Sequence, residues 1–353
     1  MSIYIRSAAS VSAQHTLNSN SFLADPVSYT GTRLPAIEPD YKKYIDPKAI
    51  RRMSHVIKMG IAAAQECLIT GGVEMPGAIV TGTAYGCLDD THTFLSRIIE
   101  MEEEMLPPTA FIQSTHNTVG SQVALMLKCH AYNNTFVHKG ASFENALLDG
   151  MMLLMEQEAD NILVGGIDEM NDASFTVLTR LGVYKRQPVN SLNLYNLPSK
   201  GTIGGEGASF AMLTDKASPD NMAELVALKT VFKPTQPVSE LVSTFLAKQG
   251  LAAADIDVII TGRNGDTHYD AIYDFVPGMF ANSIIANYKH LCGEYPTASA
   301  FGMWFAANII KERSVPAIAV QRKASDEGRG PGKVLLYNHY QNVYHSFMLF
   351  SAC

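Results

Sequence analysis

Chemistry-bearing side chains gather at five places in this sequence, and the spacing at each place limits what it can do. Cys87-Leu88-Asp89-Asp90-Thr91-His92 offers a thiol, two carboxylates and an imidazole, all ligand types for a divalent metal. No second matched pair occurs elsewhere, the segment reads as a loop after a strand, and no metal site is expected. Ser142, in Gly140-Ala141-Ser142-Phe143-Glu144, lacks the Gly-x-Ser-x-Gly elbow and any adjacent base, so a structural helix-turn serine is expected rather than a nucleophile. Cys129-His130 ends an apolar helix, where a buried thiol and a packed imidazole are the default. The glycine-rich run from Gly201 to Gly207 lacks the Lys-Ser/Thr ending of a phosphate loop and leads into a strand. The fifth place is the turn at Val137-His138-Lys139-Gly140-Ala141. A short strand enters it, and a helix leaves it toward Glu158 and the buried strand that ends Gly165-Gly166-Ile167-Asp168. A helix N-terminus presents unsatisfied N–H groups and a partial positive charge, which favour a thiolate and help to hold an oxyanion. Gly140 offers neither thiol nor hydroxyl.

The elements that must position these residues follow from the apolar pattern. With 353 residues, 47% hydrophobic and 17% charged, the chain is long and apolar enough for two fused halves or one large α/β domain. Ile3-Tyr4-Ile5 opens as a strand. Asp46 precedes a helix expected from Pro47 to about Cys67, with Met53, Val56, Ile57, Ile61 and Ala64 at helical spacing. The run from Ala78 to Gly86 reads as a buried strand leaving through a glycine turn, and Met151-Met152-Leu153-Leu154-Met155 marks the helix after Gly140 as buried and central. The soft boundary Asp215-Lys216-Ala217-Ser218-Pro219-Asp220-Asn221 divides the chain into halves of residues 1–215 and 216–353.

Composition also excludes partner classes. A formal charge of −7 without a Lys/Arg-rich run argues against nucleic-acid or anionic-membrane binding, although an acidic carrier protein can still dock on a local basic patch. Five scattered cysteines without Cys-x-x-Cys spacing read as reduced thiols. The N-terminal residues have no apolar signal core and no segment approaches a membrane span, so a soluble, cytoplasmic protein is expected.

Taken in order, these segments resemble the β-ketoacyl-ACP synthases of the thiolase superfamily. The strand, turn, helix and Gly-Gly strand around Gly140 resemble the stretch where that family carries its nucleophile as Ala-Cys-x-Ser, and the cysteine's place falls on Gly140. Gly201-Thr202-Ile203-Gly204-Gly205-Glu206-Gly207-Ala208 is similar to the family's Gly-x-x-x-Gly-Glu-Gly-Ala turn, the most specific match in the chain. Ala110 to Ala124 is similar to the Pro-Ser-x-x-x-Asn segment and its helix. In the second half, Thr261-Gly262-Arg263-Asn264-Gly265-Asp266-Thr267 stands where the family has Asn-Ala-His-Gly-Thr, and Lys289-His290-Leu291-Cys292-Gly293-Glu294 where it has Lys-Ser-x-x-Gly-His. Lys289 and Gly293 are kept, the second histidine becomes Glu294, and the first falls on Arg263. The glycine-rich C-terminal loop is replaced by Tyr340-Gln341-Asn342-Val343-Tyr344, a vestige of the oxyanion loop.

The resemblance implies a thiolase-like α/β fold, two related halves in a layered α-β-α-β-α arrangement, with no cofactor and no metal. It also implies a site that has lost cysteine, both histidines and the loop. Condensation needs a thiolate to hold the acyl chain and donors to stabilise developing charge. The chain is therefore expected to work as a non-condensing subunit of the chain-length-factor type, paired with an active ketosynthase and served by an acyl carrier protein in polyketide, aryl polyene or fatty-acid-like synthesis. Gln113, Ser114, Thr115, His116 and Asn117 are expected to reach across the dimer interface and floor the partner's acyl tunnel. Arg263 and Glu294 are expected to form an ion pair in the vestigial pocket. Two alternatives remain: an acyl-thioester hydrolase or dehydratase using Glu294 as base with Lys289 nearby, and a self-associating protein that binds a hydrophobic ligand.

Overall fold

The computed structural model describes residues 2–18, 21–196, 199–324 and 330–353. Eleven strands among these residues form one hydrogen-bonded sheet: β1 Tyr4–Val11, β2 Ala78–Gly82, β3 Tyr132–Phe136, β4 Asn161–Asp168, β5 Gly207–Thr214, β6 Ala223–Phe232, β7 Val258–Thr261, β8 Ile284–Asn287, β9 Val320–Arg322, β10 Lys333–Tyr340 and β11 Tyr344–Ser351. Their order is β9-β8-β7-β10-β11-β6-β1-β5-β4-β2-β3. The halves meet where β1 pairs with β6 through the register Tyr4↔Glu224 and Ile5↔Ala223 alone, so two half-sheets are joined at one narrow seam. The residues linking β5 to β6 cross at that seam.

Helices fill the layers. Helix α1 (His55–Gly71) packs on the outer face of β1, β4 and β5, where Ile57, Ile61, Leu163 and Phe210 share one core. It begins after Ser54, whose backbone is extended, and ends at Gly72, whose φ of 65° lets its N–H cap the last carbonyls. Helix α4 (Ser142–Met155) and helix α6 (Ser299–Glu312) lie between the half-sheets, with Phe143, Leu147, Phe301 and Phe305 fully buried among them. Helix α5 (Val238–Ala247) covers the far face, with Val242 and Phe245 against Ile259, Leu335 and Phe347. This is the layered thiolase-like α/β architecture, and it brings the N-terminus of α4 to the seam between the halves.

Several expected elements differ from those observed. The helix expected from Pro47 to about Cys67 is broken into a one-turn helix at Pro47–Ile50 and α1, because the chain turns after Arg51 and is extended at Ser54, where the second helix starts. Cys87-Leu88-Asp89-Asp90-Thr91-His92 is not a loop. Cys87 is the N-cap of helix α2 (Leu88–Glu100), whose first turn carries Asp89 and Asp90 and whose alternation of apolar and polar residues is helical. Helix α3 (Thr118–Leu127) follows the short Pro108–Gln113 helix. The C-terminal run is a hairpin of β10 and β11, fully paired from Lys333↔Ser351 to Tyr340↔Tyr344. Among the described residues no helix is long and apolar enough to cross a membrane, no group of three or more metal-binding side chains assembles, and the five cysteines are free.

Candidate functional site

The turn at the head of α4 is built by Ser142. Its Oγ accepts from the His138 amide (2.8 Å) and donates to the Lys139 carbonyl (2.8 Å), closing a short 3-10 turn over Lys139–Ala141. Ser142 is fully buried, and its hydroxyl bonds back across the turn that precedes the helix. Gly140 sits inside this turn with Tyr340 upon it: a Cβ added at Gly140 would lie 2.3 Å from the Tyr340 Cβ and 2.7 Å from its Cγ. The expected vestigial loop, Tyr340, Gln341, Asn342 and Val343, is thus the last residue of β10 and a tight hairpin turn. Gln341 and Asn342 both have φ of 53°, the Val343 amide donates to the Tyr340 carbonyl (3.1 Å), and the Asn342 amide donates to His339 Nδ1 (3.2 Å).

Glu294 does not pair with Arg263. Its Oε1 receives Lys289 Nζ at 2.5 Å and its Oε2 receives Asn264 Nδ2 at 2.7 Å, while the Lys289 and Glu294 side chains are only 1% and 5% exposed. Arg263 turns the other way, donating to Asp274 Oδ1 (2.9 Å) and to the Asp270 carbonyl (3.4 Å) near the surface. The reason is solvation. A second cation beside Lys289 in a sealed pocket would cost several kcal/mol, whereas a neutral amide supplies the donor that the second carboxylate oxygen needs. The position that faces Glu294 is therefore Asn264, one residue beyond the Arg263 that the sequence comparison selected. Lys289 and Glu294 are brought to one place by the short Lys289–Cys292 helix and by Gly293, whose φ of 77° lets the Glu294 amide donate to Ile203 O (2.8 Å). The Gly205 amide returns the bond to Glu294 O (3.0 Å), which cinches the Gly-Glu-Gly turn of the first half to the second.

Further residues complete the site, and sequence reasoning had not selected them. Glu144, one turn after Gly140, is fully buried and accepts from Ser346 Oγ at 2.8 Å. Burial pushes its carboxyl above the usual range, opposed by the hydroxyls of Ser299 and Ser346 and by the Lys289 charge. The signal available for it was an acidic residue in the first turn of an otherwise apolar central helix. Three tyrosines fill the space beside Glu294. The Tyr340 and Tyr85 hydroxyls are 3.4 Å apart, and Tyr184 donates to Glu294 O at 3.5 Å. Burial pushes all three phenols up, aided at Tyr340 and Tyr184 by the neighbouring Tyr85 and by Glu294, and at Tyr85 by Asp168 and Glu294 against the lowering effect of its bond to Tyr340. Nothing in their sequence spacing relates positions 85, 184 and 340. Asp168, at the end of β4, accepts from the Ala84, Tyr85 and Thr297 amides and the Thr83 and Thr297 hydroxyls, fastening the Tyr85 turn to the start of α6.

The arrangement offers no free nucleophile among these residues. The nearest thiol, Cys292, is fully buried, pushed up by desolvation, and donates to Gly293 O at 3.3 Å. Glu294 and Lys289 are paired with each other and sealed from solvent.

The expected interface segment reaches the Tyr85 turn through His116, which lies against Gly86, and reaches β3 through Asn117. Gln113 Nε2 donates to Arg52 O (2.6 Å), Ser114 Oγ to Phe111 O (2.8 Å), and the Thr115 and Thr118 hydroxyls share a bond (2.9 Å). Asn117 Nδ2 donates to Ser121 Oγ (3.3 Å). His116 is exposed on one side and on the other closes a residual void of about 10 Å³ with Val56, Thr81, Thr83, Gly86 and Val119. Strand β3 is the last of the sheet, and Tyr132, Val137 and Leu125 of the adjoining α3 are exposed, as are Phe111 and Ile112 on the short Pro108–Gln113 helix that packs against α2.

Comparison with known proteins gives this geometry a context. Residues 35–192 match the family model of the β-ketoacyl synthase N-terminal domain. No curated protein matches the sequence. The fold is similar over its whole length to the ishigamide ketosynthase/chain length factor, with 14% identity, 100% of this chain and 99% of that chain covered, and a TM-score of 0.81. It is also similar to a β-ketoacyl synthase from Burkholderia phymatum STM815, at 14% identity, 100% and 99% coverage and a TM-score of 0.77. A third likeness is to the ketosynthase ApeO in complex with its chain length factor ApeC from Xenorhabdus doucetiae, at 14% identity, 100% and 98% coverage and a TM-score of 0.75. At these identities the structural likeness establishes the thiolase-like fold of ketosynthases.

Proposed function

We propose that this chain is a non-condensing ketosynthase-like subunit, of the chain-length-factor type, that pairs with an active ketosynthase and shapes its acyl tunnel. The observation that carries the reading is the contrast between a whole scaffold and an emptied site. The layered fold, the α4 turn and the Gly-Glu-Gly junction are all built, while the head of α4 holds Gly140 under Tyr340, and Lys289, Asn264 and Glu294 form a self-satisfied buried group. A Claisen condensation has no thiolate to start from here.

The partner surface is argued from physics. An edge strand leaves backbone donors and acceptors unpaired. Beside β3 the exposed Leu125, Tyr132 and Val137 add apolar area of the kind that interfaces bury. Two of the similar structures named above are of a ketosynthase with a chain length factor, which supports a heterodimer here. The segment Gln113 to Asn117 borders this edge, and we assign His116 to the floor of the partner's tunnel. Carrier-protein-bound acyl chains are the substrate class that such a pair handles.

The test is co-expression with a ketosynthase that retains a Cys-His-His set. A soluble one-to-one complex with condensing activity that needs both subunits is expected. A chain that purifies as a stable homodimer and leaves the ketosynthase's product unchanged overturns the reading.

A further inference from the structure

Removing a nucleophile does not by itself close the place where it stood, and glycine often leaves a cavity that small molecules reach. At Gly140 no such cavity remains. The atom that blocks the position is the Tyr340 Cβ, 2.3 Å from where a Gly140 Cβ would be, with Cγ at 2.7 Å and Cδ1 at 2.8 Å. A distal ring atom can swing aside by changing rotamer, but a Cβ moves only with its backbone. That backbone is pinned on both sides. Tyr340 ends a β10 that pairs along its full length with β11, the turn after it runs through left-handed Gln341 and Asn342, and the Lys233 amide donates to Val343 O at 2.8 Å. A long glycine-rich loop moves easily, whereas a three-residue turn held by these bonds does not.

We infer that Tyr340 is a fixed stopper which denies the N-terminus of α4 to any acyl thioester. The inference rests on the reading of this chain as an acyl-handling subunit. It adds that exclusion is steric and permanent, so a chain delivered to the pair has room only in the partner. Gly140 is then retained for fit as well as for lack of chemistry: with Tyr340 in place, the turn has no room even for alanine. A single change back to cysteine does not restore a reactive site.

The test uses the full chain alone, without a ketosynthase, so the partner reading can fail while this inference stands, and the reverse. Gly140→Cys is made in the natural background and with Tyr340→Ala or Tyr340→Gly, and each is treated with N-ethylmaleimide and mapped by peptide mass. The thiol introduced with Tyr340→Gly is expected to label at least about tenfold faster than in the natural background, since labelling tracks the population in which the site is open. Tyr340→Ala, which keeps the Cβ, is expected to give little relief. Should Gly140→Cys fail to fold, Gly140→Ala read by thermal melting replaces it, with recovery expected from Tyr340→Gly and not from Tyr340→Ala. Equal labelling in the natural and Tyr340→Gly backgrounds with unchanged melting, or equal rescue by alanine and glycine at position 340, overturns the inference.

Discussion

Lys289 Nζ and Glu294 Oε1 meet at 2.5 Å with both side chains sealed from solvent, and Asn264 occupies the remaining carboxylate oxygen. A buried pair of this kind is worth little against an apolar replacement, but breaking it strands a charge. Lys289→Met is therefore expected to destabilise the protein by about 3–5 kcal/mol in urea unfolding, while Lys289→Met with Glu294→Leu recovers most of that loss. A single variant that costs under about 1 kcal/mol contradicts a desolvated pair.

Incubation with acyl-carrier thioesters is expected to leave the mass of the chain unchanged, because no nucleophile stands at Gly140 and Ser142 is locked between His138 N and Lys139 O. Ser142→Ala is expected to cost about 1–3 kcal/mol of stability, because it leaves the His138 amide and the Lys139 carbonyl without their buried partner, without altering acylation. A stoichiometric adduct in intact-mass spectrometry that disappears on replacing Ser142 or one cysteine would remove the non-condensing reading.

His55 lies between Glu38 (Nδ1 to Oε1, 3.2 Å) and Glu206 (Nε2 to Oε1, 3.3 Å). Burial pushes its imidazole down, but the Glu206 hydrogen bond and the charges of Glu206, Glu169 and Glu38 outweigh this and hold it above the usual value. For Glu206, burial pushes up while His55 and the Met170 and Ala36 amides hold the carboxyl below its usual value. A raised histidine contributes stability that is complete below its unfolded pKa and is lost as pH rises through the folded one. A depressed carboxylate contributes stability that is present above its unfolded pKa and is lost as pH falls through the folded one. The pair is then strongest between the unfolded values of 4.5 and 6.5. His55→Gln is expected to cost about 1–2 kcal/mol at pH 6 and progressively less toward pH 9, measured by denaturant titration at each pH. A loss that does not shrink as pH rises argues against the charged bridge.

In the assembled complex, His116→Gly is expected to lengthen products and His116→Trp to shorten them, with the partner's thiol loading intact. A tunnel floor acts by volume: each methylene admitted gains about 0.8 kcal/mol of burial, and an overfilled pocket costs about 1–3 kcal/mol. Chromatography of the products decides it. Identical product distributions in both variants leave His116 a packing residue.

Some of this was legible before any coordinates, because it depends on local order. The Gly-Gly end of β4 and the Gly-Glu-Gly turn are consecutive residues whose spacing reports turn geometry directly, and the glycine at the head of α4 is read from the chain alone, whereas the apolar block Met151 to Met155 marked a helix but not its burial, since only Leu154 of the five is buried and Met152 and Met155 are exposed. The chain also placed Lys289 and Glu294 five residues apart. Tertiary structure decided what a linear register cannot. Arg263 and Asn264 are neighbours in sequence, and only the cost of burying a guanidinium selects Asn264 to face Glu294 while Arg263 turns outward to Asp274. The helix at Leu88–Glu100 was hidden by its polar first turn. The meeting of Gly140 with Tyr340, and of Tyr340 with Tyr85, joins residues some 200 or more positions apart, brought together by the β10–β11 hairpin crossing the head of α4. No local pattern encodes such a contact, since it exists only once two half-sheets have closed on the helices between them.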